Sequence, residues 1–325
     1  MPALVRESIA DVVRVDFGAC SVRLSDGSLA RARARGKLMG PRKALGNSVV
    51  VGDRVVVETP SSGAGDSSEL AIRAVEPRRN VFSRRASGRH GGEQVVASNL
   101  DQIVHVAAWD QPPFSPGLAD RVLCQAEHSG IPARLVLNKA DLAVEAPVAE
   151  SPAAILSDYA RAGYSGHAVS SSTGAGLPDL LAACRGRRTL FVGHSGVGKS
   201  TLLNAMVPEL ELLAGQVNPK TGKGRHTTSA AWLLAAAPDL ELVDTPGVRA
   251  FGLWGIGPAD LDHAYPEFRP HLSGCRFADC SHAQEPGCAI RAAVADGRIA
   301  ERRYTSFLKL RAELQEEALR QGSWM

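Results

Sequence analysis

The chain has 325 residues, 44% of them hydrophobic and 22% charged, with a formal net charge of +3 at pH 7. That is enough to bury cores in two or three domains of roughly 100 to 200 residues each. No run approaches the ~20 apolar residues of a membrane span, and Met1-Pro2-Ala3-Leu4-Val5-Arg6-Glu7 lacks the apolar stretch of a secretory signal, so a soluble, cytoplasmic, monomeric protein with no membrane partner is expected.

The charge is unevenly placed. Residues 1–90 carry 16 Lys/Arg against 9 Asp/Glu, a surplus of seven, which leaves the remainder acidic by four. Arg31, Arg33, Arg35, Lys37, Arg42 and Lys43 follow one another with no acid between them, and Arg78, Arg79, Arg84, Arg85 and Arg89 form a second group after Pro77. Such runs are often solvated faces, but the asymmetry along the chain points to RNA. Within residues 8–76, strand patterning is carried by Val13, Val15 and Phe17, by Val22 and Leu24, by Val49, Val50 and Val51, and by Val55, Val56 and Val57. Asp26-Gly27 is a hairpin signal, Gly52-Asp53 a turn, and 59–68 a Gly/Ser/Pro loop. About five short strands in this length fit a small barrel of the OB-fold type, whose open face binds single-stranded or irregular RNA. Phe17 and Phe82 are the only aromatics before residue 100, so phosphate contacts are expected to outweigh base stacking.

From Asn99 onward strands alternate with helices: a strand over 103–108, a helix over 118–129 and a strand over 133–137, the pattern of a parallel α/β sheet. That last strand ends in Asn138-Lys139-Ala140-Asp141, at the carboxyl edge where open α/β sheets bind ligands. The Asp141 carboxylate can accept hydrogen bonds from guanine N1–H and the exocyclic amine, which adenine cannot offer. Residues 143–152 read as a surface connection. A helix near 153–162 leads to a strand over 167–170, which opens into Ser170-Ser171-Ser172-Thr173-Gly174-Ala175-Gly176, a turn suited to presenting backbone N–H groups to a base.

Residues 193–201, Gly193-His194-Ser195-Gly196-Val197-Gly198-Lys199-Ser200-Thr201, match the G-x-x-x-x-G-K-[ST] phosphate loop, with a strand over 189–192 before it and a helix over 200–206 after it. Glycines let N–H groups turn toward phosphate, the helix N-terminus adds its dipole, Lys199 reaches the β/γ oxygens and the Ser200 hydroxyl can ligate Mg²⁺. Residues 215–226 read as a switch-like loop ending in His226-Thr227-Thr228, of which Thr228 is the better candidate for Mg²⁺ and γ-phosphate. A strand over 240–243 delivers Asp244-Thr245-Pro246-Gly247, a D-x-x-G in which Asp244 supports Mg²⁺ and the Gly247 N–H senses γ-phosphate. Val248 follows where many GTPases carry a water-orienting glutamine. Valine cannot do this, so His226 is the candidate catalytic group, and a partner that orders its loop is expected to accelerate turnover. GTPases usually run phosphate loop, D-x-x-G, then N-K-x-D; here N-K-x-D comes first, so the G domain is circularly permuted and its D-x-x-G end leads straight into the C-terminal segment.

That segment contains Cys275, Cys280, His282 and Cys288, three thiols and an imidazole spaced for one tetrahedral ion. Four protein ligands close the coordination sphere, so a structural Zn²⁺ is expected, one per chain. The loop-rich stretch 258–286 reads as too poor in apolar residues to fold without it. The remaining cysteines, Cys20, Cys124 and Cys184, are too scattered for a disulfide framework. Residues 290–320 read as one helix with Phe307, Leu310, Leu314 and Ala318 as its packing face.

The order of barrel, N-K-x-D, G-x-S-G-V-G-K-S, H-T-T, D-T-P-G-V and Cys-Cys-His-Cys resembles the ribosome small subunit-dependent GTPases of the RsgA (YjeQ) type over nearly the whole chain. The resemblance implies a late assembly factor that binds the small ribosomal subunit and its rRNA, with GTPase activity stimulated by that subunit. The expected fold is multi-domain α/β: an OB-fold RNA-binding domain over 1–88, a circularly permuted P-loop GTPase domain over 89–254 and a zinc-binding helical domain over 255–325. Its rival is an RNA-binding module that uses GTP occupancy alone, with negligible hydrolysis.

Overall fold

The computed structural model describes residues 7–16, 19–34, 47–58, 69–86, 91–144, 147–208, 231–245 and 251–322. His226, Thr227, Thr228, Gly247 and Val248, the loops 59–68 and 215–226, Phe17, and Arg35, Lys37, Arg42, Lys43 and Arg89 of the basic groups lie outside them.

Strands β1 (Glu7–Asp16), β2 (Ala19–Leu24), β3 (Leu29–Ala34), β4 (Arg54–Glu58) and β5 (Leu70–Val75) close a barrel in the order β1-β2-β3-β5-β4, with β4 returning to β1. All its pairings are antiparallel except β3 with β5. Alternation builds it: Val12, Val22, Ala32, Val55, Val57 and Ile72 point inward and are fully buried, while Arg31 and Arg33 point out. Asp26-Gly27 makes the β2–β3 hairpin, with the Gly27 N–H donating to the Leu24 carbonyl. Val49, Val50 and Val51 are buried but form no strand. They sit in the turn that enters β4, where the Asp53 carboxylate accepts from the Val50 N–H and the Gly52 N–H donates to Val12, so local polar bonds replace a sheet ladder.

A ribbon of β6 (Val81–Arg85) and β7 (Glu93–Ser98) follows, a pair for which the sequence carries no clear pattern. Phe82 in it is fully buried and stacks on Phe251, with ring centroids 5.5 Å apart.

The α/β unit contains β8 (Gln102–Ala108), α1 (Pro116–His128), β9 (Ala133–Asn138), α2 (Pro152–Arg161), β10 (Ser165–Ala168), α3 (Leu177–Cys184), β11 (Arg187–Gly193), α4 (Lys199–Met206), β12 (Trp232–Ala237) and β13 (Leu240–Asp244). Sheet order is β10-β9-β8-β11-β13-β12, parallel except for β12. Every residue of β8 is buried, as a central strand covered on both faces requires. Val104 and Val106 pack with α3 and α4, while Ile103 and Ala107 pack toward α1. The antiparallel edge strand β12 also meets β1, at Arg14↔Trp232, so barrel and G sheet run on as one 11-stranded sheet. Across the same seam Arg188 (β11) and Arg23 (β2) both pair with Glu241 (β13) and Asp11 (β1).

The C-terminal region is helical, with 3₁₀ turns at Asp262–Ala264 and Arg269–Gly274, then α5 (Ala289–Ala295) and α6 (Glu301–Gly322). The single helix expected over 290–320 is thus broken: Gly297, at φ +72°, takes a left-handed conformation in the connection, which glycine tolerates best. Phe307, Leu310 and Leu314 are buried as expected, but Ala318 is exposed. Around and beyond Leu314 the helix also makes ion pairs, Glu313 with Arg121 and Glu317 with Arg85. The stretch 258–286 contributes apolar residues to a core of its own. Leu261, Tyr265 and Phe268 are buried with Phe307 and Leu314 in a core that also takes Cys124 from α1.

Candidate functional site

Three loops at the carboxyl ends of β9, β11 and β13, and the turn beyond β10, converge because parallel strands deliver them to the same edge. Lys199 opens α4 at the end of the phosphate loop and is only 6% exposed; its Nζ pairs with Asp244, which closes β13. Thr245 fixes that strand end by donating its hydroxyl to the Phe191 carbonyl at 2.7 Å. Ser195, Gly196, Ser200 and Thr201 are exposed, and the His194 ring Nδ1 lies 2.6 Å from the Ser195 carbonyl. Gly198 has φ +84°, and a Cβ there would lie 2.6 Å from Asn138 Nδ2, so the close approach of two loops requires glycine.

Asn138 is the junction of the site. It is 1% exposed, donates from Nδ2 to the Val197 carbonyl at 2.9 Å, and accepts at Oδ1 from the Ser171 N–H at 3.1 Å and the Ser171 hydroxyl at 2.9 Å. One side chain therefore ties the phosphate loop to the Ser-rich turn. Lys139, at φ +59°, lays its ammonium against the Gly196 carbonyl at 3.0 Å and also bonds the Gln111 carbonyl, an interaction with no signal in the sequence. Ala140 donates its N–H to Val169 at 3.0 Å. Asp141 is exposed beside this frame; the Ser170 hydroxyl first, then Ser172 and the charge of Lys139, hold its carboxyl below the usual carboxylate range. Ser170 is buried and accepts from the Thr173 N–H, which shapes the turn. An anionic acceptor with its neighbours already satisfied suits a ligand edge carrying two donors, as guanine does. A cavity of about 520 Å³ is lined by His194 and Val197 of the phosphate loop with His105, Arg121, Phe251 and Glu313; neither Asp141 nor Lys199 lines it.

The second constellation is Cys275, Cys280, His282 and Cys288, whose four donor atoms lie within 4.8 Å of one another. His282 Nδ1 is 3.6 Å from the Cys275 sulfur and 3.5 Å from the Cys288 sulfur. Cys288 also caps α5, accepting from the Arg291 N–H. Burial and the neighbouring Cys288 push the Cys280 thiol up to about 12, so charging that thiol calls for a compensating cation. The donor set fits a metal ion, and three sulfurs with one nitrogen fit Zn²⁺ chemistry. Sequence reasoning missed Asp262, which faces the far side of the His282 ring, and Arg303, buried between the two regions. Both act across long sequence separations, and only the folded chain brings them into place.

A phosphate loop after β11, a D-x-x-G sequence from the end of β13 and an N-K-x-D sequence from the end of the earlier β9 define a circularly permuted P-loop GTPase. The family model for the RsgA GTPase matches residues 75–254. The chain belongs to that family, a family of GTP hydrolases. It is 42% identical over 304 residues to the small ribosomal subunit biogenesis GTPase RsgA of Gemmatimonas aurantiaca, covering 93% of this chain and 96% of the relative. It is 44% identical over 264 residues to RsgA 1 of Vibrio vulnificus, covering 81% and 73%. Among solved structures it is similar to YjeQ from Thermotoga maritima, with TM-score 0.72, 29% identity and 95% and 99% coverage. It shares the fold of YloQ, a circularly permuted GTPase, with TM-score 0.69, 24% identity and 96% coverage of both chains.

Proposed function

We propose that this chain binds GTP, hydrolyses it to GDP and phosphate, and acts in late maturation of the small ribosomal subunit, which stimulates its turnover. The observation that carries the reading is the convergence around Asn138, where a guanine-type acceptor, Asp141, stands on the same frame as Lys199 and Asp244; the ribosomal role rests on the relatives named for it. Asn138, Lys139, Ala140, Asp141, Ser170 and Ser171 take the base side. Gly193 to Thr201 take the phosphates together with Asp244 and Gly247. Mg²⁺ is held by Ser200, Thr228 and Asp244, and Zn²⁺, one per chain, by Cys275, Cys280, His282 and Cys288. The domains run over 1–88, 89–254 and 255–325, the first contacting rRNA. The protein works as a cytoplasmic monomer, and among the described residues no helix is long and apolar enough to cross a membrane.

The test is turnover of GTP and of ATP with and without purified small subunits. GTP-selective, subunit-stimulated hydrolysis is expected, and binding without turnover would favour the occupancy reading. Catalysis is assigned to His226. His226→Ala is expected to leave GTP affinity and subunit binding nearly intact and to lower stimulated turnover by roughly 10²-fold or more; full stimulation in that variant would move the role to a group supplied by the ribosome.

A further inference from the structure

His282 has two ring nitrogens with opposite surroundings. Nδ1 faces the sulfurs of Cys275 and Cys288. Nε2 is buried, with no hydrogen bond to any described residue at conventional geometry, and the Asp262 carboxylate lies 3.5 Å from it. The ring is 2% exposed and lies against Phe268 and Phe307, with centroids 6.3 and 6.0 Å away. The backbone is pinned as well: His282 has φ +62°, and its carbonyl accepts from the Tyr304 hydroxyl of α6 at 2.7 Å. Asp262 is itself anchored, accepting at Oδ1 from the His263 N–H at 2.8 Å, which leaves Oδ2 for the imidazole.

We infer that His282 ligates the metal through Nδ1 and that Asp262 is the residue that orients it, accepting from Nε2–H and so keeping the proton off the ligating nitrogen. This deepens the zinc assignment and rests on it. A neutral imidazole has one protonated and one bare nitrogen, and only the bare one can bind metal. A carboxylate behind the ring selects the tautomer, fixes the ring plane and makes the ligating nitrogen more basic, and losing such a partner typically weakens metal binding 10- to 100-fold. Asp262 bonds within its own turn and faces His282. It is a positioning residue for the metal, with its 3₁₀ turn lying some twenty positions before the ligand it serves.

The experiment uses the full chain. Zinc affinity is measured by competition with a chromogenic chelator for wild type, Asp262→Ala and Asp262→Asn. In parallel, protein labelled with ¹⁵N-histidine and loaded with zinc is read by long-range ¹H–¹⁵N correlation to determine which His282 nitrogen carries the proton. A weakening of about 10- to 100-fold is expected for Asp262→Ala, with Asp262→Asn between it and wild type because an amide oxygen still accepts. The spectra are expected to show Nδ1 metal-bound and Nε2 protonated. Metal bound through Nε2, or unchanged zinc affinity in both variants, would overturn the role of Asp262 while leaving the four-ligand site standing. A wild-type chain that takes up no zinc would overturn the site and this inference together. Asp262→Asn keeps the side-chain volume, so its affinity reads the same trend should Asp262→Ala fold poorly.

Discussion

Asp141 shows how one exposed carboxylate acquires a function from its neighbours. Its serines and Lys139 hold it ionised, and Asn138 fixes the backbone on which it stands. Asp141→Asn is expected to weaken GTP binding about 10- to 100-fold, since the amide oxygen still accepts one of the two bonds and the other, to a charged group, contributes roughly 1.5–3 kcal/mol. The same change should improve xanthosine triphosphate, whose C2 carbonyl accepts from the new amide. Competition between the two nucleotides measures this, and an unaltered GTP preference would place the base elsewhere. His105 is the other residue with a consequence of its own. It is fully enclosed in β8, burial pushes its pKa down to about 4, and Nδ1 has no partner among the described residues. Above the unfolded value of about 6.5 the ring is neutral in both states. As pH falls from there toward 4, the unfolded chain takes up a proton that the folded chain refuses, so stability drops by up to about 3 kcal/mol. Urea melts between pH 7 and pH 4.5 should show a shallower loss in His105→Leu; parallel curves would mean the imidazole finds a partner on protonation.

At the scale of elements, β3 illustrates both the reach and the limit of pattern reading. Alternation places Arg31 and Arg33 outside and Ala32 inside. The sequence also shows no acid within the basic run, yet the parallel partner β5 brings in Glu69 from just before its start, and Glu69 pairs with both arginines, at 2.9 and 2.5 Å. Two cations share one anion, so the face stays positive but less so than a residue count implies. Reversing both charges should lower association with small subunits and reduce the slope of log affinity against log salt by about one for each phosphate that is no longer neutralised. Titrations at several salt concentrations decide it, and an unchanged slope would make β3 a solvated face. The helix break at Gly297 is a similar case. Apolar spacing continues through 290–320, but the turn there lets α5 carry Cys288 while α6 returns to α1.

At the scale of the molecule, the G domain and the C-terminal region are joined through a buried charge. Arg303 of α6 is fully buried; it pairs with Asp120 of α1 and, at 2.6 Å, with Glu267, and its guanidinium lies 4.4 Å from the Tyr265 ring centroid. Burial raises the Asp120 carboxyl above its ordinary range, with Arg303 opposing that shift. Removing the cation leaves two acids without their partner, so Arg303→Ala should cost about 3–5 kcal/mol, whereas Arg303→Met, which fills the volume, should cost less and change phosphate-loop binding little. Denaturation followed by both tryptophan fluorescence and GTP binding reads this. A loss under about 1 kcal/mol in Arg303→Ala would show that the joint rests on the aromatic core around Phe268 and Phe307 instead.

The phosphate loop, the N-K-x-D and D-x-x-G sequences, their permuted order and the four metal-type donors are determined by the sequence alone. Each is a short run in which residue type and spacing carry the chemistry: glycine for tight loops, lysine for phosphate, thiols for a soft cation. The barrel and the parallel sheet were legible for a related reason, since a period of two and the alternation of strand with helix are local patterns. Only the tertiary structure decided that Val49 to Val51 make a buried turn, that β12 meets β1 across Arg14 and Trp232, that Glu69 answers Arg31 and Arg33, and that Asp262 stands behind His282. Those pairings join residues from about twenty to more than two hundred positions apart. Their energy comes from sharing hydrogen bonds and charge in a space that exists only after the strands have found their neighbours.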